Sequence, residues 1–200
     1  MRFSHREKKD LLYAGLLISL AFAILLSGGY RALLSLNSSF LVIFFIAFLT
    51  AGLGFLLHEM MHKYVAQSYG YLAEFQAYYR GLYLALAFSF FGFIFAAPGA
   101  VVIRSYSHIS RERNGKISLA GPLTNLVLAV LFLIPLLLVS NAGLLGALFS
   151  YGLTINSLLA AFNMIPVMPF DGAKIKDWSV GVYAITVIAA VGLFVLGLVL

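Results

Sequence analysis

The stretch "HEMMH" places His58, Glu59 and His62 inside an apolar run over residues 40–62. On a helix, residues four apart lie about 40° around the axis, so both imidazoles project from one face and can bind a single metal ion. Glu59 falls on the adjoining side, where a carboxylate can serve as general base in metal-assisted hydrolysis without being a ligand. Histidine nitrogen with carboxylate oxygen suits zinc, and a catalytic zinc site takes three protein ligands and leaves a fourth position for water. The chain has no cysteine, so thiolate sites and disulfides are excluded and any metal is held by nitrogen and oxygen. The competing explanation is a helix end at the membrane interface, with His58, Glu59, His62 and Lys63 merely solvated. Against it, a charged side chain at the centre of a bilayer costs at least about 2.5–3.5 kcal/mol, so ionisable groups clustered in a hydrophobic helix need a partner or a use.

The third ligand is sought by elimination among seven acidic residues. Glu59 is the base, Glu7 and Asp10 sit in the charged N-terminal segment, and Glu112 lies in the basic "RSYSHISRERNGK" loop. Glu74 follows the HEMMH helix and is a lesser candidate, while Asp177, among Lys174, Lys176 and Trp178, suits a solvated interfacial joint. Asp171 stands in "FNMIPVMPFDGAK", where Pro166 and Pro169 break a helix and remove amide donors ahead of an Asp-Gly turn. Such a broken helix can hold a carboxylate rigidly at membrane depth. The "LAGPLTN" stretch offers Gly121, Pro122 and Asn125, suited either to close helix approach and hydrogen bonds near the site or to a plain helix start. His5 and His108 lie in polar segments and are expected to be solvated.

The elements that must position these groups are membrane helices. The chain has 200 residues, 62% hydrophobic and 10% charged, with a mean hydropathy of +1.02, far from the composition of soluble globular domains. Apolar runs at 11–29, 40–62, 82–103, 117–139, 142–165 and 178–200 mostly reach the ~20 residues that cross a bilayer. The first is long and lacks a convincing cleavage site, so a retained helix is expected. The net charge of +6 bears on orientation, and nothing suggests nucleic-acid binding. Placing the N-terminus in the cytoplasm puts Arg2, Arg6, Lys8 and Lys9 inside. Arg104, Arg111, Arg113 and Lys116 join them only if the run at 82–103 enters and returns on one side. The expected fold is therefore an all-α polytopic membrane protein of five to six transmembrane helices. A re-entrant or extended hairpin element, with the turn "APGAV" and an extended "VVIRSY", lies between the HEMMH helix and the next helix. Residues 1–200 form a single domain.

Together "HEMMH", "AGPLTN" and "NMIPVMPFDG", the last matching N-x-x-P-x-x-P-x-D-G, resemble the site-2 protease family of intramembrane zinc metalloproteases over about residues 40–175. The resemblance implies that His58, His62 and Asp171 bind one zinc ion, that Glu59 activates water, and that Asn163 lies near the site to position substrate or intermediate. It also implies a transmembrane protein or peptide substrate cleaved within the bilayer. The long insert at 82–103 departs from the family's short membrane-associated hairpin; "FAAPGAV", with Pro98 and Gly99, is similar to its edge and is expected to line substrate entry. A helical substrate must unwind to expose its carbonyls, and adding a strand to an edge at 97–106 would hold it extended. The alternative is a non-hydrolytic metal-binding membrane transporter or sensor, which would use the same ligands but needs no carboxylate at the position of Glu59. The expected location is the cell membrane.

Overall fold

The computed structural model describes residues 1–31, 38–94, 98–105, 108–139 and 143–200. Helix α1, His5–Leu26, begins where Ser4 accepts a hydrogen bond from the Glu7 amide (3.1 Å), satisfying one of the amides that a helix start leaves free. Helix α2, Ser38–Ala47, passes through one π-helical turn, Phe48–Gly52, into α3, Leu53–Ser68. Strand β1, Leu72–Ala77, and strand β2, Gly99–Arg104, flank helix α4, Tyr79–Phe90. Helices α5, Arg111–Leu136, α6, Gly143–Asn163, α7, Asp171–Trp178, and α8, Val180–Val199, complete the chain. Ser110 and Ser179 cap α5 and α8 as Ser4 caps α1.

Among the described residues five helices are long and apolar enough to cross a membrane: His5–Leu26, the continuous Ser39–Ser68, Arg111–Leu136, Gly143–Asn163 and Val180–Val199. The run at 82–103 supplies no sixth. Its helical part, α4, has 12 residues, short of the ~20 a crossing needs, and the extended segment expected at "VVIRSY" is β2. Phe95, Ala96 and Ala97 of "FAAPGAV", and Tyr106 at the far end of the expected edge, lie outside the described residues.

The residues divide into two compact units. The first, Leu57–Ala73 with Ile103–Leu200 and Met1, is built on α5 to α8 and the greater part of α3. Small residues let its helices approach closely. A Cβ on Gly152 of α6 would stand 2.3 Å from the Phe132 ring of α5, and one on Gly197 of α8 would stand 2.8 Å from Thr154 Oγ1 of α6. Ala129, Leu136 and Leu153 fill one core cluster and Leu126, Ala160 and Ala190 another.

The second unit, Arg2–Leu56 with Glu74–Val102, packs α1 against α2, the π-helical turn and α4. Gly52 lies against α1, where a Cβ would meet Ser19 Oγ. Glu7 and Asp10, expected in a polar tail, are instead buried on α1. Glu7 accepts from the Phe75 amide (2.9 Å), and Asp10 accepts from the Ala77 amide (3.2 Å) and the Tyr79 hydroxyl (2.6 Å). Phe75 and Ala77 are alternate residues, so both amides point to the same edge of β1. The other edge faces β2, where the Tyr78 amide donates to Pro98 (3.0 Å) and Gly99, at φ 139°, lies over Gln76. Any side chain at position 99 would drive a Cβ to 2.4 Å from the Gln76 carbonyl oxygen.

Candidate metal centre

His58 and His62 occupy successive turns of α3, and their rings stand edge to face with centroids 4.6 Å apart. Asp171 reaches them from the first residue of α7. Helix α6 stops at Asn163, ahead of Pro166 and Pro169, and a turn closed by the Phe170 amide on the Val167 carbonyl (3.0 Å) reverses the chain into α7. Asp171 therefore opens a helix, where the sequence suggested an Asp-Gly turn. Gly172 makes this approach feasible, because a Cβ there would lie 2.3 Å from the Met164 carbonyl oxygen. Lys174, one turn along α7, stands 3.6 Å from Asp171 Oδ1.

The three side chains converge through single atoms. His58 Nε2 and His62 Nε2 are 3.0 Å apart, and Asp171 Oδ2 lies 3.3 Å from the first and 3.0 Å from the second. All three residues are buried, with Glu59 and Lys63 buried beside them on α3. The other nitrogen of each ring is engaged elsewhere. His62 Nδ1 lies 2.8 Å from the Ile117 carbonyl oxygen, which can only accept, so this nitrogen carries a proton and Nε2 is the nitrogen turned to the other donors. His58 Nδ1 lies 2.6 Å from Asn125 Oδ1, itself an acceptor, and the same assignment follows. Two imidazole lone pairs and a carboxylate oxygen this close repel unless a proton or a metal cation is shared among them.

The donor set fits zinc. A tetrahedral site with bonds of about 2.0–2.1 Å has donor–donor edges of roughly 3.3 Å, close to the edges of this triangle, and three protein donors leave a fourth position for water. His58, His62 and Asp171 are the group of histidine and acidic side chains able to hold a metal ion among the described residues. Glu74 is not part of it and pairs with Ser4. Asp177 forms the exposed ion pair with Arg111 (3.6 Å) that an interfacial joint would make.

Helix α5 supplies the wall behind the rings. Gly121 and Pro122 do not start a helix, since α5 already begins at Arg111. A Cβ on Gly121 would lie 2.4 Å from His62 Nε2 and 2.5 Å from His58 Nε2, so the missing side chain is the space the imidazoles occupy. Asn125 contacts His58 and donates through Nδ2 to Asn156 Oδ1 of α6 (3.1 Å). Sequence reasoning missed Asn156; its signal was a second carboxamide within an apolar helix, in "GLTINSLL". Asn163 donates to the Leu159 carbonyl of its own helix (2.9 Å). Pro98 and Gly99 belong to the other unit and shape the start of β2.

No protein-family model matches the chain, and no solved structure matches it. It is 40% identical over 192 residues to a protein of Methanocaldococcus jannaschii named "putative zinc metalloprotease", an alignment that covers 96% of this chain and 94% of that protein. With a zinc-sized set of donors brought together by α3 and α7, the chain belongs to the zinc metalloprotease family of which that archaeal protein is a member.

Proposed function

We propose that the protein is an intramembrane zinc metalloprotease of the site-2 type, hydrolysing peptide bonds of transmembrane substrates within the bilayer. The observation that carries this reading is a buried His58–His62–Asp171 triangle, with Glu59 beside it on α3, in a chain of five membrane-type helices. His58, His62 and Asp171 would hold the metal, with Gly121 leaving room for the rings and Lys174 facing the second oxygen of Asp171. Bound zinc would supply Lewis acidity, polarising a carbonyl and easing deprotonation of water near neutral pH. Glu59 takes that proton as water oxygen attacks the peptide carbon. It delivers the proton to the departing nitrogen as the C–N bond breaks.

A substrate helix must unwind before its carbonyls can be reached, and an extended segment needs partners for its freed amides. Strand β2 is suited to supply them. Its one strand neighbour among the described residues is β1, while the opposite edge of β1 is taken by Glu7 and Asp10, so β2 has the edge on which a strand can be added. An N-terminus in the cytoplasm of a cell-membrane protein agrees with the basic residues that flank the spans.

The test uses the purified full chain, reconstituted in lipid with a single-span polypeptide, and the cut positions are read by mass spectrometry. Cleavage inside the apolar segment, lost on metal chelation, restored by zinc and absent in Glu59→Gln, is the expected result. Cleavage confined to soluble peptides would sink the intramembrane reading and leave a metalloprotease. Zinc bound without hydrolysis of any substrate would favour a transporter or sensor.

A further inference from the structure

Behind His58 a line of hydrogen bonds runs through α5 and ends on the backbone of α6. His58 Nδ1 meets Asn125 Oδ1 (2.6 Å), Asn125 Nδ2 donates to Asn156 Oδ1 (3.1 Å), and Asn156 Nδ2 donates to the Gly152 carbonyl (2.9 Å). Asn125 and Asn156 are wholly buried, with no exposed surface. The far end sets the direction of the line. A backbone carbonyl can only accept, so Asn156 must turn its amino group towards Gly152 and its oxygen towards Asn125. Asn125 must then donate to Asn156 and offer its own oxygen to His58, whose Nδ1 is left to donate. Reversing any link would set two donors or two acceptors face to face in a buried site, at a cost of about 1–3 kcal/mol.

We propose that Asn156 is a positioning residue for His58. Acting through Asn125, it fixes the ring so that Nδ1 carries the proton and the Nε2 lone pair points into the donor triangle. Gly152 serves this twice, through its carbonyl and through the close contact with Phe132 that brings α6 against α5. His62 reaches the same state by a shorter route, directly on the Ile117 carbonyl. The two ligands therefore differ in how they can be disturbed from a distance: a change on α6 reaches His58 through Asn125 and leaves the bond between His62 and Ile117 in place.

The inference rests on the proposed metal site for its consequence, but its structural content can be measured without metal. Nitrogen-15 spectra of metal-free full-length protein, with histidine labelled, are expected to show His58 protonated at Nδ1. A His58 proton confined to Nε2 in the wild type overturns the proposal without recourse to any variant. In Asn156→Leu, His58 should become a mixture of both tautomers while His62 stays as it was, and zinc affinity, from competition with a chelator, should fall roughly 10–100-fold. Asn156→Ala serves if the leucine variant does not fold. In an Asn125→Ala background the same change at 156 should cost no further affinity; an additive loss, or an unaltered His58 spectrum in the single variant, overturns the mediated role. A wild type that binds no zinc, yet protonates His58 at Nδ1, would defeat the metal reading and leave the hydrogen-bond line standing.

Discussion

Two buried polar clusters, one in each compact unit, satisfy their oxygens and nitrogens in opposite ways. On α1, Glu7 and Asp10 present carboxylate oxygens to backbone amides of β1 and to the Tyr79 hydroxyl, so acceptors meet donors. At His58, His62 and Asp171, three lone-pair atoms face one another at 3.0–3.3 Å, while the protons of both rings are directed away to Asn125 and Ile117. Burial alone therefore says little about what a carboxylate in an apolar chain is for. The first cluster is complete as protein and ties a helix to a strand edge, whereas the second calls for a cation.

The contrast can be broken most severely at Glu59. Glu59→Gln should lower peptide hydrolysis by roughly 10²- to 10⁴-fold with zinc content unchanged, as the proposed role of Glu59 as a general base and not a ligand requires. Metal analysis and cleavage on the same samples check it, and loss of zinc alongside activity would make Glu59 structural.

Changes to the triangle itself come next. Asp171→Ala removes a donor and should weaken zinc binding by more than the roughly 10–100-fold that outer partners are worth. Gly121→Ala should do comparable harm without touching a ligand, because its Cβ would sit 2.4 Å from His62 Nε2. Chelator competition measures both, and a Gly121→Ala protein with normal affinity would show that α5 can retreat from the rings.

The α1 cluster should respond in stability and not in metal. Asp10→Asn keeps the shape but loses the charge that accepts from Ala77 and Tyr79, for an expected loss of about 1–3 kcal/mol in thermal or denaturant unfolding with zinc content intact. Loss of zinc in that variant would contradict the separation drawn between the clusters. The smallest effect is at Tyr79, whose phenol is pushed up to about 12, chiefly by its hydrogen bond to Asp10. An acid that holds its proton more tightly when folded contributes stability below its unfolded value near 10, and that contribution is lost as pH rises through about 12. Ultraviolet titration should find a late phenol that is absent in Tyr79→Phe; the same titration curve in both proteins would mean that the Asp10 contact is not kept in solution.

Much of the architecture was legible because membrane spans announce themselves by length and apolarity. Five of the six apolar runs correspond to helices able to span. The sixth could not be assigned by hydropathy, since a short helix followed by a strand is as apolar as a crossing; charge placement favoured the hairpin, and α4 with β2 takes that form. His58, His62 and Asp171 could be brought together on paper because few ionisable residues were available to choose from. Asn156, Gly121 and the Ile117 carbonyl could not, since a carboxamide, a missing side chain and a backbone oxygen acquire meaning only from the groups opposite them. Glu7 and Asp10 were set aside as part of a charged N-terminal segment, and their partners, two backbone amides of β1 and the Tyr79 hydroxyl, come from residues far along the chain.

By itself the sequence determined the solvent of the protein and the inventory of its chemistry. Long apolar runs require helices in a bilayer, the absence of cysteine limits metal donors to nitrogen and oxygen, and HEMMH puts two imidazoles on one helical face. Only the tertiary structure decided which nitrogen of each ring faces the other donors, what stands behind the rings on α5 and α6, and which acidic groups are held by backbone amides instead. Those outcomes depend on distances of about 3 Å between residues far apart in the chain, and hydrogen-bond direction is set by the partner each atom meets, which no local pattern of residue types specifies.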